Sequence, residues 1–531
     1  MVTMRDEAWG LLLPLAALVA AIWVACGGAR RLHAWAWERR LGAAARGCLP
    51  PGDMGWPLVG NMWAFLRAFK SHDPDAFIAS FHRRYGHTGI YKAFMFGNPT
   101  IMVTAPEICK QILMDDDHFV PGWPKATNEL IGKKSFIAIS VEEHKRLRRL
   151  TANPINGYEA LNTYLQFIEN TVLSSLERWA SMGSIEFLTE LRRFTFRIIM
   201  KIFLCSEDEI LMESLESVYT NLNYGMRAMA INFPGFAYHR ALKARRTLVA
   251  VLQGVLDERK ATRTKSFTPT KKDMMDRLMD IEDENGRKLS DEEIIDVLIM
   301  YLNAGHESSG HITMWATVFL QENPEIFEQA KLEQEEIQRN MPPTQKGLTM
   351  KEIRKMEYLS KVIDETLRIV NISFVSFRQA TKDMYINGYS IPMGWKIQVW
   401  YRSVNLDPQL YPDPKKFNPS RWNVSRKLIS SLFEFSDVHP AVSFDHKTLL
   451  IRISRILYRK PEAFLPLEQE AGEIHVVSKD DTLVAKIKNT PFHSNTNWNG
   501  SSMTIGIEDL DPIDGMDMKH NLKIKSRKYF N

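Results

Sequence analysis

The chain has 531 residues but only four cysteines (Cys26, Cys48, Cys109 and Cys205), and none follows Cys205. No pair stands at CxxC spacing, which argues against a disulfide framework and against a thiolate zinc site. Such usage suits a reducing compartment. Excess charge is also scarce. Sixty-eight Lys and Arg face 63 Asp and Glu, a net charge of +5. No basic cluster is interleaved with aromatics, so nothing supports a nucleic-acid partner. No internal repeat is evident. Apolar residues at 45% and charged residues at 25% are ordinary for a globular body. The length admits one large domain with appendages as readily as two or three domains.

One long uncharged run is present. Ala8 to Ala29 is mostly apolar and long enough to cross a bilayer as a helix. Arg30, Arg31, Arg39, Arg40 and Arg46 follow it against only Glu38, which places the body on the cytosolic side. A cleaved secretory signal is the competing reading. The run exceeds a usual signal core and lacks a basic segment ahead of it, which favours an uncleaved anchor over residues 1–31. Residues 32–61 read as a basic, proline-rich linker, stiffened by Leu49-Pro50-Pro51-Gly52 and Trp56-Pro57.

From Asp73 to about Lys260 the pattern is mainly helical. A strand pair is expected at Thr88–Phe96 and Thr100–Thr104, turned by Asn98-Pro99. Lys260–Lys272 reads as an exposed loop. Ser290-Asp291-Glu292-Glu293 is a capping box opening a helix that runs to about Asn323, before Pro324. It is apolar on most faces and therefore buried. At its middle stand Ala304-Gly305-His306-Glu307-Ser308-Ser309-Gly310-His311. Glycines, an acid and hydroxyls in such a helix cost stability. Either close helix packing explains them, or this is a groove beside a flat cofactor. Further on, Glu365 and Arg368 share one helix face, and a second arginine beside Glu365 would complete a structural triad. Strands are expected near Met384–Ile386 and Trp395–Trp400, with Asn387-Gly388 as a turn, and a tail hairpin at Ile474–Val477 and Leu483–Ile487.

Taken in order, these segments resemble the cytochrome P-450 superfamily. Ala304 to Ser308 matches its Ala-Gly-x-acid-hydroxyl distal helix, Glu365 to Arg368 its Glu-x-x-Arg helix, and Phe417-Asn418-Pro419-Ser420-Arg421-Trp422 its meander. His144-Lys145-Arg146-Leu147-Arg148 matches a His-x-x-x-Arg variant of a haem-propionate motif, and the Pro-Pro-Gly hinge fits microsomal members. Within the superfamily, the stretches around Asp116–Trp123, Glu142–Thr151 and Gly305–His311 look like the plant ent-kaurenoic acid oxidases. The resemblance covers roughly residues 8 to 422. It implies a mainly α fold with small β-sheets, a haem cofactor and one N-terminal transmembrane helix in the endoplasmic reticulum membrane. It further implies electrons from NADPH-cytochrome P-450 reductase and a diterpenoid acid substrate oxidised toward gibberellins. By the same resemblance Glu307 relays protons and Ser308, a threonine in most members, hydrogen-bonds oxygen. Ala304 and Gly305 bring the helix close to the haem, His144, Arg148 and Arg378 pair its propionates, and Glu365, Arg368 and Arg421 form the structural triad. His306 and His311 receive no role.

The pattern then stops. Family members continue past the meander to a cysteine that ligates the haem iron through its thiolate, whose electron donation favours O–O cleavage. Here Asn423-Val424-Ser425-Arg426 follow Trp422, and residues 423–531 carry no cysteine. The fold is thus expected to be incomplete at its C-terminal end: residues 62–422 are cytochrome-like, and 423–531 form an unrelated tail. A transcript read past a splice junction accounts for such a change. His439, His446, His475 and His493 lack the surrounding glycine and arginine pattern of the ligand loop. The expectation is a haem-thiolate monooxygenase scaffold inactive as written, with no metal ligand of its own. A non-catalytic product and a haem protein with a non-thiolate ligand stay open beside it.

Overall fold

The computed structural model describes residues 26–423, apart from 72, 157, 183, 205–208, 227, 266–272 and 346, together with 473–477 and 484–488. The anchor expectation falls almost wholly on residues outside this range. Among the described residues no helix is long and apolar enough to cross a membrane.

The chain enters on helix α1 (26–38). Arg30 bridges to Asp53 at 3.1 Å and Glu38 to Lys92 at 2.8 Å, while His33 and Trp37 pack on Phe94. Helices α2 (Met62–Lys70) and α3 (Asp75–Tyr85) follow. Strands β1 (Ile90–Met95) and β2 (Asn98–Val103) then form a hairpin in which Met95 faces Asn98. The turn is Phe96-Gly97, both at positive φ (51° and 78°), the geometry that a two-residue hairpin demands. Asn98 and Pro99, expected in the turn, lie instead at the start of β2. Gly97 supplies the left-handed conformation one residue earlier.

Next come α4 (Pro106–Met114), β3 (Phe119–Pro121), α5 (Lys125–Ile131), α6 (Val141–Asn156), α7 (Tyr158–Ser181), β4 (Ser184–Ile185), α8 (Phe187–Leu204), α9 (Glu209–Met226) and α10 (Ala237–Lys265). Helix α10 takes in the first six residues of the segment expected as a loop. Lys260 reaches Asp291 at 2.6 Å and Arg263 reaches Asp276 and Asp280, so these basic side chains tie the helix end to its neighbours.

Helix α11 (Asp291–Glu322) is the axis of the fold. Both halves of its capping box form: Ser290 Oγ accepts from Glu293 N–H, and the Glu293 carboxylate accepts from Ser290 N–H at 2.8 Å. Its 32 residues span about 50 Å at roughly 1.5 Å each. Ile294, Ile295, Val297, Leu298 and Ile299 are buried in the main apolar core, where α11 packs on α5, α8 and α10, each contributing about 1.5–3 kcal/mol of burial. Helices α12 (Pro324–Arg339) and α13 (Glu357–Val370) pack across its later half. Strands β5 (Val375–Ala380), β6 (Met384–Ile386), β7 (Tyr389–Ile391) and β8 (Lys396–Trp400) complete the body, with Asn387-Gly388 turning β6 into β7 at positive φ.

The main sheet has the order β1-β2-β8-β5-β3. Alternate residues serve different cores. Ile101, Val103, Ile397 and Val399 face one apolar cluster, and Met102, Phe377 and Trp400 face another. The tail hairpin is present as β9 (Glu473–Val477) and β10 (Val484–Lys488), with β10 pairing parallel to β4.

Candidate active site

Along α11 from Tyr301 to Thr313, every position is buried except Asn303, Ala304, Glu307 and Ser308. The i, i+1, i+4, i+5 spacing makes one partly exposed stripe on a helix otherwise enclosed. Gly305 lies buried beside it. Ser308 Oγ donates to the Ala304 carbonyl, which leaves the hydroxyl lone pairs as acceptors. Glu307 stands at the edge of the stripe, and its Oε2 accepts from Arg192 Nε at 3.2 Å and Nη2 at 3.1 Å across the α8 interface. His306 Nε2 lies 3.1 Å from the Arg192 carbonyl oxygen, and His311 Nδ1 lies 2.7 Å from the Glu307 carbonyl oxygen. The two histidines without an expected role thus brace the backbone on either side of Glu307. The sequence reading missed Arg192. It sits 115 residues from Glu307, and only its place on a mostly buried helix hints at a partner.

A cationic group lies on α6 and β5. His144 and Arg148, one turn apart on α6, come close enough to Arg378 for the charges to act on one another. Burial first, then Arg148, push the His144 pKa below the usual histidine value; Asp116 opposes them, and Arg378 and Lys145 add smaller pushes downward. Arg378 Nη2 is 3.8 Å from Asp116, and its buried Nε has no hydrogen-bond partner among the described residues.

The third group is closed. Glu365 is 0% exposed and takes Arg368 Nε and Nη2 at 2.9 and 2.8 Å. Arg421 Nε and Asn418 N–H reach its Oε1 at 3.1 and 3.0 Å, and Trp422 Nε1 reaches Oε2 at 3.1 Å. The Arg421 guanidinium also caps the carbonyls of Pro412 and Asp413.

The model of the family "Cytochrome P450" matches residues 50–439. The chain belongs to that family. The match runs past Trp422, where the motif series ends. Among curated relatives, an ent-kaurenoic acid oxidase of Oryza sativa subsp. japonica is 65% identical over 410 residues, 77% of this chain and 81% of the relative. Cytochrome P450 88A1 of Zea mays is 68% identical over 383 residues, 72% and 74% of the two chains. Ent-kaurenoic acid oxidase 1 of Arabidopsis thaliana is 59% identical over 394 residues, 74% and 80%. A solved structure, retinoic acid bound cyanobacterial CYP120A1, shares the fold with a TM-score of 0.70 at 23% identity. It covers 85% of this chain and 98% of its own.

Haem is the cofactor of this P450 family. The residues fit one end of that group. Arg378, with a buried unpaired Nε, and Arg148 and His144 beside it suit an anionic propionate. The open stripe of α11 suits a flat face. The iron ligand is a different matter. Of the described cysteines, Cys26 lies on α1 and Cys48 is exposed. Cys109 is buried in the sheet core, 3.6 Å from the Val103 carbonyl, with its thiol pushed far up by burial. None of these presents a thiolate beside α11, and Cys205 lies outside the described residues.

Proposed function

We propose that the chain carries the substrate and proton-handling half of an ent-kaurenoic acid monooxygenase of gibberellin biosynthesis, and that it does not turn over as written. The observation that carries the reading is 59–68% identity over 383 to 410 residues to ent-kaurenoic acid oxidases and a P450 88A relative, in a chain whose family match, residues 50–439, holds all three groups above. Residues 62–422 form the cytochrome body in this reading, and 423–531 a tail unlike the family's ligand segment. Haem, where bound with a thiolate, supplies the oxidation, with electrons from NADPH-cytochrome P-450 reductase. The chain's own residues do the rest. His144, Arg148 and Arg378 anchor carboxylates, Ser308 accepts a hydrogen bond at the open stripe, and Glu307, oriented by Arg192, passes protons from solvent to that stripe.

Membrane association at the endoplasmic reticulum, with a cytosolic body, is part of the same proposal. The apolar run Ala8–Ala29 supports it, as do the exposed side chains of Leu58, Trp63, Phe233 and Phe236. Such residues are costly to leave in water.

The test is co-expression with a plant reductase and feeding of ent-kaurenoic acid. The expected result is no oxidised product and no red-shifted carbon monoxide band. Replacing residues 423–531 with the C-terminal segment of an intact relative should restore both. A band or product from the unmodified chain would overturn the inactivity, and a restored band without diterpenoid oxidation would overturn the substrate.

A further inference from the structure

The sheet face that carries Phe377 and Trp400 opens into a shallow cleft, about 190 Å³ with the solvent-open space above it, between the β1–β2 turn and the first residues of β8. Its walls are apolar, from Met95, Phe96 and Phe377; its polar groups are Thr100, Lys396 and Gln398. Gly122 forms one edge. A Cβ there would lie 2.2 Å from the Arg378 carbonyl oxygen, so only glycine lets β3 approach β5 this closely. Its enclosed part is small, so only a small polar head enters it and the body of a ligand lies over the rim.

Two features of the cleft are unfinished. Gln398 is 2% exposed, and its buried Oε1 has no hydrogen-bond partner among the described residues. Lys396 donates to Gln379 Oε1 at 2.7 Å, but no described carboxylate forms an ion pair with it. Burial holds its ammonium pKa below the usual lysine range. A half-buried cation paired only with a neutral amide among the described residues, and a buried amide oxygen with no described partner, both carry a desolvation penalty. One carboxylate removes both. It accepts from Lys396, and a half-turn of the Gln398 amide exchanges its oxygen for its N–H₂, which then donates to the second oxygen.

We propose that Lys396 and Gln398 form a carboxylate-binding subsite for an apolar monocarboxylic acid, whose hydrocarbon body lies along Phe96 and Phe377. That the acid is a diterpenoid rests on the function proposed above; the subsite itself does not. Phe377 is the chain neighbour of Arg378, so an acid seated here is held beside the strand that carries the cationic group. Lys396 acts by orienting the ligand and touches no reacting atom.

Binding to the full chain in detergent can be followed by tryptophan fluorescence, because Trp123 packs on Phe377 with ring centroids 5.1 Å apart. The probes are ent-kaurenoic acid, its methyl ester and palmitic acid. The expected result is a preference for acid over ester of about tenfold, the scale of one hydrogen bond to a charged group. Lys396→Met should abolish the preference while leaving ester affinity unchanged, and Lys396→Arg should restore most of it. If Lys396→Met lowers the melting temperature, Gln398→Glu serves instead: a carboxylate in the cleft should weaken acid binding by about tenfold or more and spare the ester. Equal affinity for acid and ester, no binding of either acid, or a preference that survives both variants overturns the subsite. Lys396-dependent binding of palmitic acid alone upholds the subsite and removes the diterpenoid. Lys396-independent binding of ent-kaurenoic acid does the reverse.

Discussion

Two arginine clusters in this molecule share their residue types and differ in every consequence. Around Glu365, one carboxylate is surrounded by Arg368, Arg421, the Asn418 amide and the Trp422 indole, and each acceptor site is filled. Beside His144, Arg378 meets the exposed carboxylate of Asp116 at 3.8 Å, and its buried Nε has no hydrogen-bond partner among the described residues. The first cluster is complete within the protein, so it acts as architecture: it pins the meander to α13. The second leaves an Arg378 nitrogen unused beside His144, which is the arrangement an anionic group completes. The distinction is one of satisfied valence. Composition alone would have assigned both the same role.

The largest expected effect comes from opening the closed cluster. Glu365→Gln leaves Arg368 and Arg421 buried without a counter-charge, and should cost about 3–5 kcal/mol in urea unfolding. An intermediate case is Arg192→Met. The pair with Glu307 is half-shielded from solvent, so its loss should cost about 1–2 kcal/mol by the same measurement. Smaller still is the pH response of the open cluster. His144 titrates below its ordinary value of 6.5 in the fold. The unfolded chain then binds more protons, so its contribution to stability is complete above pH 6.5 and is lost as pH falls through the folded pKa. His144→Gln should flatten that part of the urea midpoint between pH 7 and pH 5. The smallest effect is expected for Arg378→Met. Removing this guanidinium should leave stability within about 0.5 kcal/mol of the parent or raise it, while haem content falls in the chain fitted with an intact ligand segment. A loss as large as that for Glu365→Gln would erase the comparison.

Much of this was legible in the sequence where the signal is local. The Ser290 capping box and the Asn387-Gly388 turn each depend on a few adjacent residues, and the structure has them where expected. Local signals failed where two competed. Asn98-Pro99 looks like a turn, but Gly97 paired with a strained Phe96 is the turn that keeps Met95 opposite Asn98. The candidate site divides the same way. Positions on α11, α13 and the meander follow from motif order, whereas Arg192, Asp116 and Lys396 depend on which distant elements meet. Nothing within a few residues of Arg192 marks it as the partner of Glu307.

The docking of α1 bears on where this protein can be cut. Arg30 holds Asp53, which also accepts from Arg84, Tyr85 and Asn61, while Trp37 and His33 cover Phe94. A truncation after residue 31, the natural choice for removing the apolar run, would discard Arg30 and the first turns of a helix seated on the β-hairpin. Any resulting insolubility would then report a damaged body, not a membrane requirement. Trimming ahead of Cys26 keeps every one of these contacts, and it is the boundary from which expression and crystallisation should start.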